Sequence, residues 1–283
     1  MKIVNDPADV RRAVDQARAD GHSIGFVPTM GALHDGHATL LGQAKSVNGF
    51  VVASIFVNPL QFNDPRDLAS YPTTATQDEA ICSEQGVDLI YRPSVDDMYP
   101  LGFDTRVEPG ALAEVLEGHH RPGHFSGMAT VVLKLFNIVD PDDTYFGKKD
   151  FQQLAIVRRM ATDLNLKVRV HGIDTVREAD GLALSSRNSK LSVSARKAAV
   201  ALSAALFEVR RRVSQGADPF EATMSQRSSI VGTTDIDVEY FDLVDASTMR
   251  TPTPDSEHLV LLVAANVGGV RLIDNVEIFL GNN

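Results

Sequence analysis

The segment Phe26-Val27-Pro28-Thr29-Met30-Gly31-Ala32-Leu33-His34-Asp35-Gly36-His37 runs from an apolar strand through two glycines into what reads as the first turn of a helix. That arrangement suits a phosphate. The first N–H groups of a helix are unpaired and partly positive, glycine lets backbone approach an anion, and two imidazoles three residues apart can share one polyphosphate. His37 is then placed to donate a proton or a hydrogen bond to charge building on phosphate oxygens. The same residues also fit an ordinary strand–helix turn with Asp35 as its N-cap. A metalloprotease-type metal site fits less well, because those helices space histidines four apart with a glutamate beside the first, and here Gly36 sits within a spacing of three.

Three other segments carry chemistry at the ends of apolar runs. In Val57-Asn58-Pro59-Leu60-Gln61-Phe62, the two amides can read a hydroxylated acid while Phe62 and Met30 cover its aliphatic part; a turn capped by Asn58 is the competing reading. Phe146-Gly147-Lys148-Lys149-Asp150-Phe151-Gln152-Gln153 sets Lys149 beside a glycine as a point charge for phosphate, with Asp150 and Gln153 also spaced as a capping box. It is not a P-loop, since no Ser or Thr follows the lysines, and no strand ends in G-x-G-x-x-G. In the polar stretch from Val176 to Asn188, the hydroxyls Ser185 and Ser186 precede Arg187, a combination able to close on a polyphosphate; a polar linker before a helix cap at Ser192 is the alternative. Arg121-Pro122-Gly123-His124-Phe125 adds a cation at a glycine turn, and with the neighbouring His119 and His120 it forms a histidine-rich patch that reads as surface, with a weak metal site as the alternative.

The elements that must hold these groups alternate through the first 175 residues. β-rich runs at 23–27, 50–57, 88–91, 144–146 and 167–173 interleave with helix-period stretches at 38–47, 74–85, 130–138 and 151–164, the grammar of a doubly wound parallel sheet. Ligands of such sheets bind beyond the carboxyl ends of the strands, which is where these loops lie. A second, smaller α+β domain is expected over 176–283: an Ala-rich helix near 193–213, a linker around Gly216 and Pro219, then strands at 236–243, 258–267 and 269–273, with a hairpin turn at Gly268-Gly269 and an exposed loop at 252–256. The chain has 283 residues, 43% apolar and 23% charged, with net charge −10, a balance that argues against nucleic acid as partner. Its single cysteine, Cys82, excludes an intrachain disulfide framework; no membrane-length apolar run or leader is evident, and a cytoplasmic location is expected.

Taken in order, P-T-M-G-A-L-H-x-G-H, V-N-P-x-Q-F, R-P-G-H-F, F-G-x-K-D-x-Q-Q and D-G-L-A-L-S-S-R-N resemble the pantothenate synthetase (pantoate–β-alanine ligase) family, while H-x-G-H alone indicates only the wider nucleotidyl-transferase superfamily. The resemblance implies a Rossmann-like ATP- and pantoate-binding domain over 1–175 and a C-terminal lid over 176–283. It implies an ATP-dependent ligase that condenses pantoate with β-alanine through a pantoyl adenylate, releasing AMP and pyrophosphate, with magnesium, as a homodimer. It assigns ATP to Met30, Gly31, Ala32, Leu33, His34, Asp35, Gly36 and His37, to Gly147, Lys148, Lys149 and Asp150, and to Val176, Leu184, Ser185, Ser186 and Arg187. Among these, His34, His37, Lys149, Ser185 and Arg187 meet the reacting phosphates, with His37 as proton donor. Gln61 and Gln153 hold pantoate, Asn58 and Arg121 lie nearby, and Gln61 also borders the β-alanine position. Two departures stand out: Thr73 replaces a common arginine, and acidic residues associated with magnesium are represented only by Gln77-Asp78-Glu79, making Asp78 the metal candidate. Rival readings are a transferase making a nucleotide-linked product and a catalytically silent nucleotide-binding regulator.

Overall fold

The computed structural model of the chain describes residues 1–280. They form two compact units, one comprising Met1–Lys148 and Gln152–Asp174, the other Lys149–Phe151 together with the chain from Thr175 onward. The first unit is built on six parallel strands: β1 (Lys2–Val4), β2 (Ile24–Thr29), β3 (Phe50–Ile55), β4 (Leu89–Tyr91), β5 (Asp143–Gly147) and β6 (Arg169–Ile173). Their spatial order is β1-β4-β3-β2-β5-β6. The helices are α1 (Pro7–Ala19), α2 (Asp35–Val47), α3 (Pro65–Ala69), α4 (Ala75–Glu84), α5 (Val95–Met98), α6 (Glu117–His120), α7 (His124–Val139) and α8 (Phe151–Asp163).

Alternation along the central strands explains why both sheet faces are covered. Phe26 and Val52 join one apolar cluster with Met128, Phe136 and Leu154, while their neighbours Val27, Val51 and Ala53 join another with Leu41, Ile90 and Tyr145. Such two-faced burial is the mark of a parallel sheet wound with helices on both sides. β2 pairs with β3 on one side and β5 on the other, so the chain winds outward from β2 in both directions. Loops leaving β2 and β5 are therefore loops of the topological switch point.

Several boundaries differ from the sequence reading for identifiable reasons. β3 stops at Ile55 because Asn58 and Pro59 open a tight helical turn over Pro59–Gln61. α7 begins at His124 instead of residue 130; its N-cap Gly123 is left-handed at φ +81, and the small residues Ser126, Gly127 and Ala129 blur the apolar period. The edge strand β1 and helix α1 precede the first run that the sequence pattern marks as a strand.

The second unit packs α9 (Val193–Ser214) and α10 (Pro219–Val231) against an antiparallel meander of β7 (Ile236–Asp245), β8 (His258–Val267) and β9 (Val270–Phe279). Leu202, Leu206, Val209 and Val213 recur along one face of α9 and are buried against that sheet. Each such side chain contributes about 1.5–3 kcal/mol. The supposed linker at Gly216 and Pro219 is short, since Asp218 caps a new helix by accepting from the Glu221 N–H at 2.8 Å and Pro219 occupies its first turn. Gly268 and Gly269, at φ +56 and +86, make the expected two-residue hairpin between β8 and β9. β9 runs on past 273 because Asp274 and Asn275, polar where a strand reading wants apolar residues, are buried with hydrogen bonds to Arg177 and the Lys149 carbonyl.

Candidate active site

At the end of β2 the chain enters α2 through a reciprocal cap made by two histidines. His34, the N-cap, accepts the Gly36 N–H at Nδ1 (3.2 Å), and His37 accepts the His34 N–H at its own Nδ1 (3.3 Å). The rings lie 4.2 Å apart between centroids. His34, not Asp35, is thus the N-cap; Asp35 is exposed in the first turn. Gly36 is required here, because a Cβ would meet His34 Cε1 at 2.9 Å. An imidazole that accepts at Nδ1 carries its proton, when neutral, at Nε2. When neutral, both rings therefore carry their proton on Nε2, and they sit at a helix N-terminus, which favours an anion.

The second group of candidates, after β3, is a hydrogen-bonded node. Asn58 is 1% exposed and fully engaged: its Nδ2 donates to Gln61 Oε1 and to the Gly127 carbonyl (both 3.0 Å), and its Oδ1 accepts from Tyr99 Oη (2.7 Å) and the Leu60 N–H (3.3 Å). Burial pushes the Tyr99 phenol well above its ordinary value, so it remains a donor. Asn58 thus acts as a positioning group, and Gln61 is what it positions. The Gln61 amide donates to Met30 Sδ at 3.0 Å, and its backbone carbonyl accepts from His124 Nδ1 at 2.7 Å and Arg121 at 3.4 Å. Arg121 also donates to His124 Nε2 at 3.2 Å and lies 3.8 Å from Glu117. Gly127 lets this turn rest on α7, since a Cβ there would stand 2.1 Å from the Leu60 carbonyl oxygen. Gly127 and Tyr99 are neighbours of this node that spacing alone does not single out, while His124 lies in the R-P-G-H-F segment.

In the second unit, Lys149, Ser185, Arg187 and Asn188 line one shallow pocket with Leu182, Arg271 and Asp274. Its scaffold is a small β-turn structure. Leu184 donates to the Val176 carbonyl (3.0 Å), Glu178 to the Leu182 carbonyl (2.8 Å), and Arg177 bridges to Ala183. Arg177 grips Asp274 with two hydrogen bonds (2.6 and 2.9 Å), donates to the carbonyls of Gly181 and Asn275 (3.1 Å each), and lies over Phe207. Ser185 Oγ accepts the Arg187 N–H at 3.2 Å and starts the tight turn over Ser186–Lys190. Asn275 Nδ2 donates to the Lys149 carbonyl at 2.8 Å, tying that lysine to β9. The result is a pocket lined by a serine and three cations and held by the shielded Arg177–Asp274 ion pair. Arg177, Arg271, Asp274 and Asn275 are not recognisable from motif spacing.

The remaining candidates are less central to these clusters. Lys148 pairs with Asp174 at 2.8 Å, and Asp150 is exposed, 4.0 Å from Lys149 Nζ. Gln153 is half-buried near the start of α8, whereas its neighbour Gln152 is buried and braces the loop before α6 through Leu112, Val115 and Glu117. His119 and His120 are exposed. Asp78, the metal candidate, is 1% exposed, and its oxygens accept from the N–H groups of Ala32 (3.2 Å) and Leu33 (2.8 Å) and from Thr74 Oγ1 (2.9 Å). Among the described residues no group of three or more His, Cys, Asp or Glu side chains forms a metal cage.

The fold places the chain among doubly wound α/β proteins, with anion-receiving groups at the switch point. Comparison with known proteins makes this specific. A family model described as pantoate-β-alanine ligase matches residues 2–277. The pantothenate synthetase of Sulfurihydrogenibium sp. is 45% identical over 279 residues, covering 98% of this chain and 100% of its own. The crystal structure of the Thermus thermophilus pantothenate synthetase superposes with a TM-score of 0.93 at 44% identity, covering 99% and 100% of the two chains. The Francisella tularensis pantoate-β-alanine ligase, solved in complex with beta-gamma ATP and β-alanine, gives a TM-score of 0.79 at 36% identity over 98% and 97% of the chains. The chain belongs to the pantoate-β-alanine ligase family.

Proposed function

We propose that this chain joins pantoate to β-alanine using ATP, through a pantoyl-adenylate intermediate, with release of AMP and pyrophosphate. The observation that carries the proposal is the family match along residues 2–277. It is supported by the ligands reported for the Francisella tularensis relative and by the His34–His37 cap at a helix N-terminus.

A carboxylate does not acylate an amine at neutral pH because oxide is too poor a leaving group. In the first step the pantoate carboxylate oxygen attacks the α-phosphorus, the bond from that phosphorus to the bridging oxygen breaks, and pyrophosphate departs. Its growing charge is met by His34 and His37. Lys149, Ser185 and Arg187, grouped within the second unit, are by themselves suited to phosphate. As neutral rings the histidines act by hydrogen bonding; a proton transfer from His37 needs the ring first to be protonated at Nδ1, which breaks its bond from the His34 N–H. Gln61, oriented by Asn58 and His124, reads the polar end of pantoate, with Gln153 as a second amide and Met30 against its apolar part. In the second step the β-alanine amine attacks the acyl carbon, the bond to the AMP oxygen breaks, and the amine loses a proton.

Magnesium enters this scheme as part of the nucleotide substrate, since the described residues offer no carboxylate cage and such ions are commonly carried by phosphate oxygens and water. The protein is taken to work in the cytoplasm as a homodimer. The test is product identity: with ATP, magnesium, pantoate and β-alanine, AMP and pyrophosphate are expected, whereas ADP and phosphate would indicate an acyl-phosphate route and overturn the proposal. A transferase making a nucleotide-linked product would release pyrophosphate without amine-dependent AMP, and a silent regulator would release neither.

A further inference from the structure

We infer that Asp78 is a positioning residue for the adenylation step, acting through His34 and His37, and not a metal ligand; the inference rests on the proposed function. The histidines close a loop of unusual backbone. Gly31 and Ala32 both adopt left-handed conformations, at φ +82 and +51. Glycine takes that conformation freely, but alanine does so at a cost that neighbouring structure must offset. Here the offset is a carboxylate. The N–H groups of Ala32 and Leu33, consecutive along the chain, converge on the two oxygens of Asp78 at 3.2 and 2.8 Å.

Asp78 is itself fixed from the other side. It lies in the first turn of α4, where the helix dipole favours a negative charge, and Thr74, the N-cap, spends its hydroxyl on Asp78 Oδ1 at 2.9 Å instead of on the helix backbone. With Asp78 1% exposed, three of a carboxylate's roughly four acceptor sites are filled by protein donors. Gly31 rests against it: a Cβ there would stand 2.9 Å from Oδ2, so only glycine lets the loop come this close. The protein donors leave a cation at most one of the carboxylate's acceptor sites.

Leu33 leads directly into the N-cap residue, His34. The bond from the Leu33 N–H to Asp78 therefore sets the direction in which the chain enters α2, and that direction sets where the His34 and His37 rings point. The same loop begins at Met30, whose sulfur holds the Gln61 amide. An asparagine at 78 keeps the shape but has only one acceptor atom, and its NH2 would face one of the two backbone N–H groups. The loop would have to turn, carrying the histidines with it. Displacements of about 1 Å at a catalytic group commonly cost on the order of 100-fold in rate.

The experiment compares wild type, Asp78→Asn, Thr74→Val, His37→Ala and the double variant Asp78→Asn/His37→Ala in pantoate-dependent exchange of labelled pyrophosphate into ATP. Folding is checked by circular dichroism and thermal unfolding. Asp78→Asn is expected to lower kcat about 10- to 100-fold while the KM values for ATP and pantoate move less than about threefold. Thr74→Val, which removes one donor and leaves the carboxylate, is expected to lower kcat about 3- to 10-fold and carries the test if Asp78→Asn does not fold. In the His37→Ala background, Asp78→Asn is expected to cost less than about threefold, because the two residues act as one unit. Raising magnesium tenfold should leave the Asp78→Asn rate unchanged. Full additivity with His37→Ala, rescue by magnesium, or a folded variant with near-normal kcat would each overturn the inference. If wild type itself shows no pantoate-dependent exchange, it is the proposed function that fails.

Discussion

Replacing Arg177 by methionine probes how the basic pocket of the second unit is held. The guanidinium makes four hydrogen bonds, two to Asp274 and one each to the carbonyls of Gly181 and Asn275, and stacks over Phe207 at 4.7 Å. Both partners of the ion pair are shielded, with side chains 17% and 5% exposed. Methionine retains the apolar stem but strands the Asp274 carboxylate without this cation, a situation that costs about 3–5 kcal/mol. Loss of the ring contact adds about 1 kcal/mol. A second change, Asp274→Asn, removes the stranded charge, and the double variant should recover at least about 2 kcal/mol of that loss. Because the chain lacks tryptophan, stability is best followed by circular dichroism in urea, with hydrogen exchange reporting residues 177–188. Arg177→Met should show faster exchange in that segment and a fall in adenylation rate, since Ser185 and Arg187 hang from it. A single variant within about 1 kcal/mol of wild type, or a double variant no more stable than the single, would show that the pair does not hold the pocket.

The same geometry makes further demands. His34→Ala and His37→Ala should each lower pyrophosphate exchange on the order of 100- to 1000-fold, as removal of a donor aimed at developing charge does in other enzymes; a loss under tenfold would count against their role. Gly127→Ala should displace the Gln61 turn from α7 and raise the KM for pantoate more than that for ATP, which initial rates at varied pantoate will show. Asp143 is buried, which by itself raises its pKa, but hydrogen bonds from Arg169 and His171 outweigh this and hold its carboxyl below the usual range. A lowered native value means that its contribution is present above the unfolded value and is lost as the pH falls below about 4, so Asp143→Asn should flatten the stability profile there. Burial pushes the Cys82 thiol up to about 12, so iodoacetamide at pH 8 should label it only after unfolding.

The doubly wound sheet was legible because β2 and β3 are apolar on both faces and their flanking helices keep a 3.6-residue period. H-x-G-H was legible as the opening of a helix because its geometry is local, contained within one turn. Asn58 and Asp78 were harder to read. Each looks like a ligand-facing polar residue in sequence, yet each is hydrogen-bonded to groups far along the chain, Asn58 to Tyr99 and Gly127 and Asp78 to Ala32 and Leu33. Periodicity carries no signal for such long-range satisfaction. The same holds for β9, where Asp274 and Asn275 interrupt the apolar pattern because their partners, Arg177 and the Lys149 carbonyl, are 97 and 126 residues away. Pro219 misled in the opposite way, as a breaker by type that serves as a helix opener by position.

In the proposed reaction the acid is activated by bonding its own oxygen to the α-phosphorus. Pantoate labelled with 18O in its carboxylate, turned over with ATP and β-alanine, reports that bond through mass spectrometry of the phosphorus products. One labelled oxygen per turnover should appear in AMP. Label in phosphate or pyrophosphate, with none in AMP, would mean that the acid never joined the nucleotide.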